Sequence, residues 1–248
     1  MEKTITKINE VLSEKFDRGI SIRVTNTLSI PPMDDDSQFS IKFKFTVNGA
    51  GYRGWYLSNT DRAEINEFVY DTLHDDVFVL PNLVDFDGKC YALVGDGMIT
   101  VERETKVLMT NDVAPSSIVE LHEMLEDIDV SSIDMSDVYD RQVGYNFSDE
   151  ECMLMYTNIP GNVLSDGSGR YTLIDLDVFN ILPTRFKYCP AFSLLCDRIG
   201  FKQSRLEGFC DKYNLDPEMF LSNYKQFLQF EKDMGSDDEK MMEILTEK

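Results

Sequence analysis

The chain has 248 residues, 42% of them hydrophobic, enough for one large domain or two small ones with a sizeable core. Its formal net charge is −21, with 45 Asp and Glu against 24 Lys and Arg, so its surface repels nucleic acid and anionic lipid. No apolar run approaches the ~18 residues of a membrane span. The charged opening MEKTITKINEVLSEKF lacks the apolar core of a signal peptide, and together these point to a cytoplasmic protein that does not engage membranes. Cys90, Cys152, Cys189, Cys196 and Cys210 are scattered, with no C-x-x-C pair. They are expected to be buried reduced thiols, neither a disulfide framework nor a zinc site. His74 and His122, without an acid or nucleophile in pattern, are expected at the surface.

The chain opens with Ile5, Ile8, Leu12 and Phe16 at helical spacing, which predicts an amphipathic helix. ISIRVTNTLSI reads as a strand and PPMDDDSQ as an acidic loop. FSIKFKFTV and GYRGWYLS alternate around an Asn-Gly turn, which predicts a hairpin. Asn59 to Asp61 can cap a helix running to about Leu73, with Ile65, Phe68, Val69 and Leu73 on one face. VFVLPNLVDFDGKCYALV reads as a second hairpin turning at Asp87-Gly88, with Pro81 at an edge or a strand start. Residues 116–126 look helical, and 127–150 read as acidic loop with short helices. From Cys189 onward the pattern is helical, with Gly200 as a stop and Asp216-Pro217 as an N-cap with Pro in the first turn. Phe220, Tyr224, Phe227 and Leu228 form the last apolar face.

Between these lies GNVLSDGSGRYTLIDLD, residues 161–177: two short apolar runs around a D-G-S-G turn, with Asn162 and Asp175 at the open ends. The Pro160-Gly161-Asn162 tripeptide, the hairpin and Asp175 thirteen residues after the Asn resemble the protein-kinase-like fold in its aminoglycoside phosphotransferase form. The resemblance implies an α+β, two-lobed chain, with a strand-rich lobe over 1–98 and a helical lobe over 99–248 that carries the hairpin. It implies ATP and Mg²⁺ as ligands, with Asn162, Asp175 and Asp177 as metal ligands. GYRGWYLS falls where the family's Lys-bearing strand lies, with Trp55 about where the Lys is expected and Arg53 the only nearby cation. The 60–73 helix falls where the family places its Glu, for which Glu64 and Glu67 are candidates. Val94 to Met98 fall at the adenine-gripping hinge, which makes Val94 and Met98 candidate nucleotide contacts.

Three parts of the family's chemistry are replaced. Thr157, in MYTNIPGN, stands where the catalytic Asp precedes the Asn by five residues, and a Thr hydroxyl cannot act as a base near neutral pH. The strand lacks the Lys, and PPMDDDSQ replaces a Gly-rich loop with acids that repel phosphate. The expected function is therefore binding of a basic protein partner, with nucleotide and Mg²⁺ as weak ligands and no surviving catalysis. The alternatives are an active phosphotransferase, for which Asp177 is the candidate base, and an acidic inhibitor or nucleic-acid mimic with no ligand site. The clusters at Asp34 to Asp36 and over 123–140, which include Asp134, Asp137 and Asp140, are the candidate partner surface; these three acids lack the Gly and the closing Glu of a calcium loop.

Overall fold

The computed structural model describes residues 1–29, 39–58, 60, 63–73, 78–79, 82–104, 113–133, 144–157, 163–165, 171–173 and 179–234. In chain order its elements begin with α1 (Glu2–Lys15), β1 (Arg23–Ser29), β2 (Phe39–Val47), β3 (Ala50–Leu57), α2 (Ala63–Thr72), β4 (Phe78–Val79), β5 (Tyr91–Val94) and β6 (Gly97–Arg103). They continue with α3 (Pro115–Glu126), β7 (Cys152–Tyr156), β8 (Val163–Ser165), β9 (Tyr171–Leu173), β10 (Phe179–Pro183), α4 (Cys189–Ile199), α5 (Gln203–Tyr213) and α6 (Pro217–Asp233). Residues Met1–Thr110 with Val163–Asp177 form one compact unit; Asn111–Asn162 with Val178–Lys248 form the other.

The first unit is built on an antiparallel sheet in the order β1-β2-β3-β6-β5. Strict alternation in FSIKFKFTV dictates its two faces. Ile41, Phe43, Phe45 and Val47 are buried, and they pack with Tyr56, Val94, Ile99 and Val101 and with Ile8 and Leu12 of α1. Each fully buried aliphatic side chain in such a layer contributes on the order of 2 kcal/mol. Phe45 stacks on Tyr52 at 5.1 Å, and Phe16, just past α1, meets both rings edge-on. The β2–β3 turn is Asn48-Gly49, both at positive φ (52° and 79°), the two-residue geometry that matches strand twist. β8 and β9 pair antiparallel, and β4 joins β9 in parallel.

In the second unit β7 pairs antiparallel with β10, and α3 packs on β7 and α4. All five residues of β10 are buried. Phe192 of α4 sits within 5.0 Å of Phe209, 5.4 Å of Phe220 and 4.9 Å of Tyr224, ring centroid to centroid. Gly200 ends α4 at φ 76°, and the Asp216 carboxylate accepts from the Met219 N–H at 2.8 Å to cap α6. None of the five cysteines is in a disulfide; Cys90, Cys189, Cys196 and Cys210 are buried and Cys152 half-buried. Burial pushes the Cys196 thiol up to about 11 and Cys189 well above its usual value, which keeps both inert.

The structure departs from the sequence expectations at several points. The boundary expected after Met98 falls inside β6, which stays hydrogen-bonded to β3 from Met98↔Leu57 to Arg103↔Tyr52. The hairpin strands β8 and β9 group with the first unit. Residues 78–94 do not form one hairpin. Asp87-Gly88 makes a local turn closed by a Phe86↔Lys89 bridge, β4 goes to β9, and β5 turns back on β6 at Gly95-Asp96. β7 and β10 were not anticipated: buried on both faces, they read as unbroken apolar runs without the period of two. Phe220, Tyr224 and Phe227 are 4%, 1% and 1% exposed, so that apolar face is core and offers no docking surface. His122, expected at the surface, is fully buried. His74, Asp34 to Asp36, Asp134, Asp137 and Asp140 lie outside the described residues. Among those described, no helix is long and apolar enough to cross a membrane.

Candidate functional site

The second face of the first unit's sheet is polar, and strand register sets it out in rows. Lys44, Arg53 and Glu102 are cross-strand neighbours, as are Lys42, Trp55 and Thr100. Glu102 is 2% exposed and forms an ion pair with Arg53 across the β3–β6 ladder. The Arg53 guanidinium also lies 5.6 Å from the Trp55 ring. Lys44 is closed by Glu104 at 2.8 Å. Thr100 is buried beside Trp55, whose indole N–H is buried and has no hydrogen-bond partner among the described residues. A buried donor without an acceptor costs about 1–3 kcal/mol, so such a group marks a place where an acceptor belongs.

Of the expected site residues, Trp55, Glu67, Val94 and Met98 are described, on β3, α2, β5 and β6. Trp55 is on this polar face. Glu67 of α2 pairs with Lys89 at 3.7 Å. Glu64 is on α2, but its side chain lies outside the described residues. Val94 and Met98 do not form an open hinge. They flank the Gly95-Asp96 turn, are 2% and 1% exposed, and pair with Gly97 and Leu93 in the ladder, so their backbone groups are used within the sheet. The stretch that links β6 to α3 begins only after Arg103. Asn162, Asp175 and Asp177 lie outside the described residues. Val163 and Leu173 pair directly, so the chain enters the hairpin straight after Asn162 and leaves it two residues before Asp175.

In the second unit Thr157 follows β7, is 9% exposed, and accepts a hydrogen bond from the Asn180 amide at 3.0 Å. One turn of packing away, His122 bridges two backbone segments. Its Nδ1 lies 3.0 Å from the Lys187 carbonyl oxygen, and its Nε2 accepts from the Tyr156 N–H at 3.2 Å. That pattern fits the neutral ring with the proton on Nδ1. Burial lowers its pKa to about 4. A neutral, fully engaged ring of this kind positions the end of β7 and the turn after β10. Sequence reading missed it because a lone His on an otherwise ordinary helix carries no pattern. Glu102 and Thr100 were missed because cross-strand neighbours are invisible until the register is known.

No family model and no curated protein matches the chain. Solved structures do. A ternary complex of a thermostable mutant of aminoglycoside phosphotransferase APH(4)-Ia with AMP-PNP and hygromycin B is 13% identical, with a TM-score of 0.55 over 96% of this chain and 95% of that one. Spectinomycin phosphotransferase APH(9)-Ia, with ADP and spectinomycin, is 11% identical, with a TM-score of 0.51 over 97% and 92%. The chain has a kinase-like fold of the aminoglycoside phosphotransferase type. The likeness extends over nearly the whole chain, well beyond the P-G-N motif that suggested it.

Proposed function

We propose that this kinase-like chain binds a nucleoside triphosphate with Mg²⁺ without transferring its phosphate, and acts in the cytoplasm by binding a basic protein partner. One observation supports the loss of catalysis. At the position of the family's base stands a buried Thr157, a hydroxyl that accepts from the Asn180 amide and is itself too weak a base to take a proton near neutral pH. The donor-rich face at Trp55 fits an anionic ligand. Among the described residues no cluster of acidic, His or Cys side chains could hold a metal ion. By their resemblance to the family's motif, Asn162, Asp175 and Asp177 would hold Mg²⁺. The metal supplies charge neutralisation at the phosphates.

Charge supports the partner. Glu123, Glu126, Asp127 and Asp129, on and just after α3, are exposed in a chain of net charge −21. Association with a basic protein captured at low salt should slow about tenfold between ~50 and ~300 mM salt, as measured by surface plasmon resonance. Neutralising Glu123, Asp127 and Asp129 together should slow association more than it speeds dissociation. A flat salt dependence would contradict the electrostatic reading.

A further inference from the structure

β5 is the last strand of the five-stranded sheet, with β6 on one side only. The two-residue turn Gly95-Asp96 joins them, so Val94 and Gly97 form the hydrogen-bonded pair that flanks it. Alternation then turns the backbone N–H and C=O of Leu93 and Tyr91 away from β6, to the outer edge. Among the described residues no backbone hydrogen bond reaches them there. Leu93, in the middle of this edge, is 62% exposed, and no proline, bulge or charged side chain within Tyr91–Val94 protects it. Alongside the edge runs a groove of about 600 Å³, walled by Val11, Glu14 and Lys15 of α1 and by Phe86, Asp87 and Lys89 ahead of β5. Its two ammoniums are matched, Lys15 by Asp85 at 3.8 Å and Lys89 by Glu67 at 3.7 Å. The Glu14 and Asp87 carboxylates are exposed and have no ion-pair partner among the described residues. The groove thus joins an open ladder and apolar side chains to two unmatched negative charges.

We propose that this groove takes an extended, basic segment of a protein partner, which adds as a strand to the outer edge of β5. The proposal rests on the basic-partner reading above and names the surface and the form of the segment. Two features of the groove select that segment. The open ladder pairs with backbone groups, so it fixes the extended shape. Glu14 and Asp87, in a chain of net charge −21, favour Lys or Arg over acidic side chains. A strand beside β5 sends alternate side chains to opposite faces of the sheet. One set lies beside exposed Leu93; the other lies on the side of Ala92, which packs with Val11 against the core. A segment that alternates apolar and basic residues fits both. A second copy of this chain would bring the same −21 charge to the groove, which opposes self-pairing.

The full chain is titrated by calorimetry, at ~50 mM salt, with a blocked heptapeptide of alternating valine and arginine and with its valine–glutamate counterpart. The arginine peptide should bind and the glutamate peptide should not. Glu14→Gln together with Asp87→Asn should weaken the arginine peptide about tenfold. Leu93→Pro removes an outward N–H and none that bonds β6, and should weaken the peptide at least as much. Equal thermal melting of the variants and the parent chain separates lost binding from lost folding. Two N-methylated peptides leave the protein unaltered. Methylating one alternate set of amides should abolish binding, and methylating the other should change it less than about threefold, because only one set faces β5. Equal loss with both sets, or binding indifferent to both protein variants, overturns strand addition at β5. If neutralising Glu123, Asp127 and Asp129 removes such indifferent binding, the basic-partner reading stands and its surface lies at α3. Binding of neither peptide overturns the proposal, and the partner reading is then judged by its own salt dependence. A dimer in sedimentation velocity that Leu93→Pro dissociates would make the occupant a second copy and overturn the partner assignment.

Discussion

Between pH 6.5 and pH 4 the protein should lose about 3 kcal/mol of stability through His122 alone. The imidazole is fully buried, and burial lowers its pKa from 6.5 to about 4. In the unfolded chain the ring takes up a proton as pH falls through 6.5, whereas in the folded chain it stays neutral down to about 4. The unfolded state therefore binds more protons throughout that window, and stability falls with pH. The stabilisation is fully present above pH 6.5. Protonating the folded ring would set a charge beside Lys187, whose ammonium also disfavours it, and would remove the acceptor used by the Tyr156 N–H. Urea unfolding followed by circular dichroism at pH 7, 5.5 and 4 measures the loss. His122→Gln should be less stable at pH 7 but should lack the His-dependent slope, so the gap between the two proteins narrows as pH falls. Parallel curves for the two would show that His122 does not carry the effect.

Replacing Arg53 with Met should destabilise the fold by about 3 kcal/mol, and more than replacing its partner does. The asymmetry follows from exposure. The Glu102 side chain is 3% exposed and the Arg53 side chain 33%. Losing Arg53 strands a carboxylate inside the sheet, whereas losing Glu102 leaves a guanidinium that can still reach water. Glu102→Leu should therefore cost less than Arg53→Met, and the double variant Arg53→Met, Glu102→Leu should be more stable than Arg53→Met alone. A buried, unpaired carboxyl has its pKa raised, so the deficit of Arg53→Met should be small near pH 4 and grow as pH rises, since the neutral form tolerates burial. Chemical unfolding of the three variants at two pH values tests this. If Arg53→Met and Glu102→Leu cost the same at pH 7, the pair is not holding a buried charge.

How much of this was legible in the sequence differs by element. The β2–β3 hairpin was readable because FSIKFKFTV alternates without a break and Asn48-Gly49 favours positive φ, two local signals that agree. The α6 start was readable from Asp216-Pro217, and the β8–β9 hairpin from its turn. The kinase-like fold followed from element order plus P-G-N and Asp175, and the structural likeness bears it out. The hinge at Val94 to Met98 was misplaced because Gly95-Asp96 makes a tight turn where a linker was expected, and the sheet continues to Arg103. β7 and β10 were hidden because residues buried on both faces lose the period of two. The polar rows of Lys42, Trp55 and Thr100, and of Lys44, Arg53 and Glu102, join residues up to 58 positions apart, so only the register could assemble them.

The central claim is that the chain binds a nucleoside triphosphate and leaves it intact. A thermal-shift titration with ATP and Mg²⁺, followed by chromatography of the nucleotide, tests it most directly. A ligand that binds only the folded state raises the melting temperature, by about 2.7 kcal/mol of stabilisation at a hundred times its dissociation constant. The account predicts a concentration-dependent rise, dependent on Mg²⁺ and abolished by Asp175→Ala, with ATP recovered unchanged. No rise at millimolar ATP would contradict the binding half, and steady conversion of ATP to ADP would contradict the other.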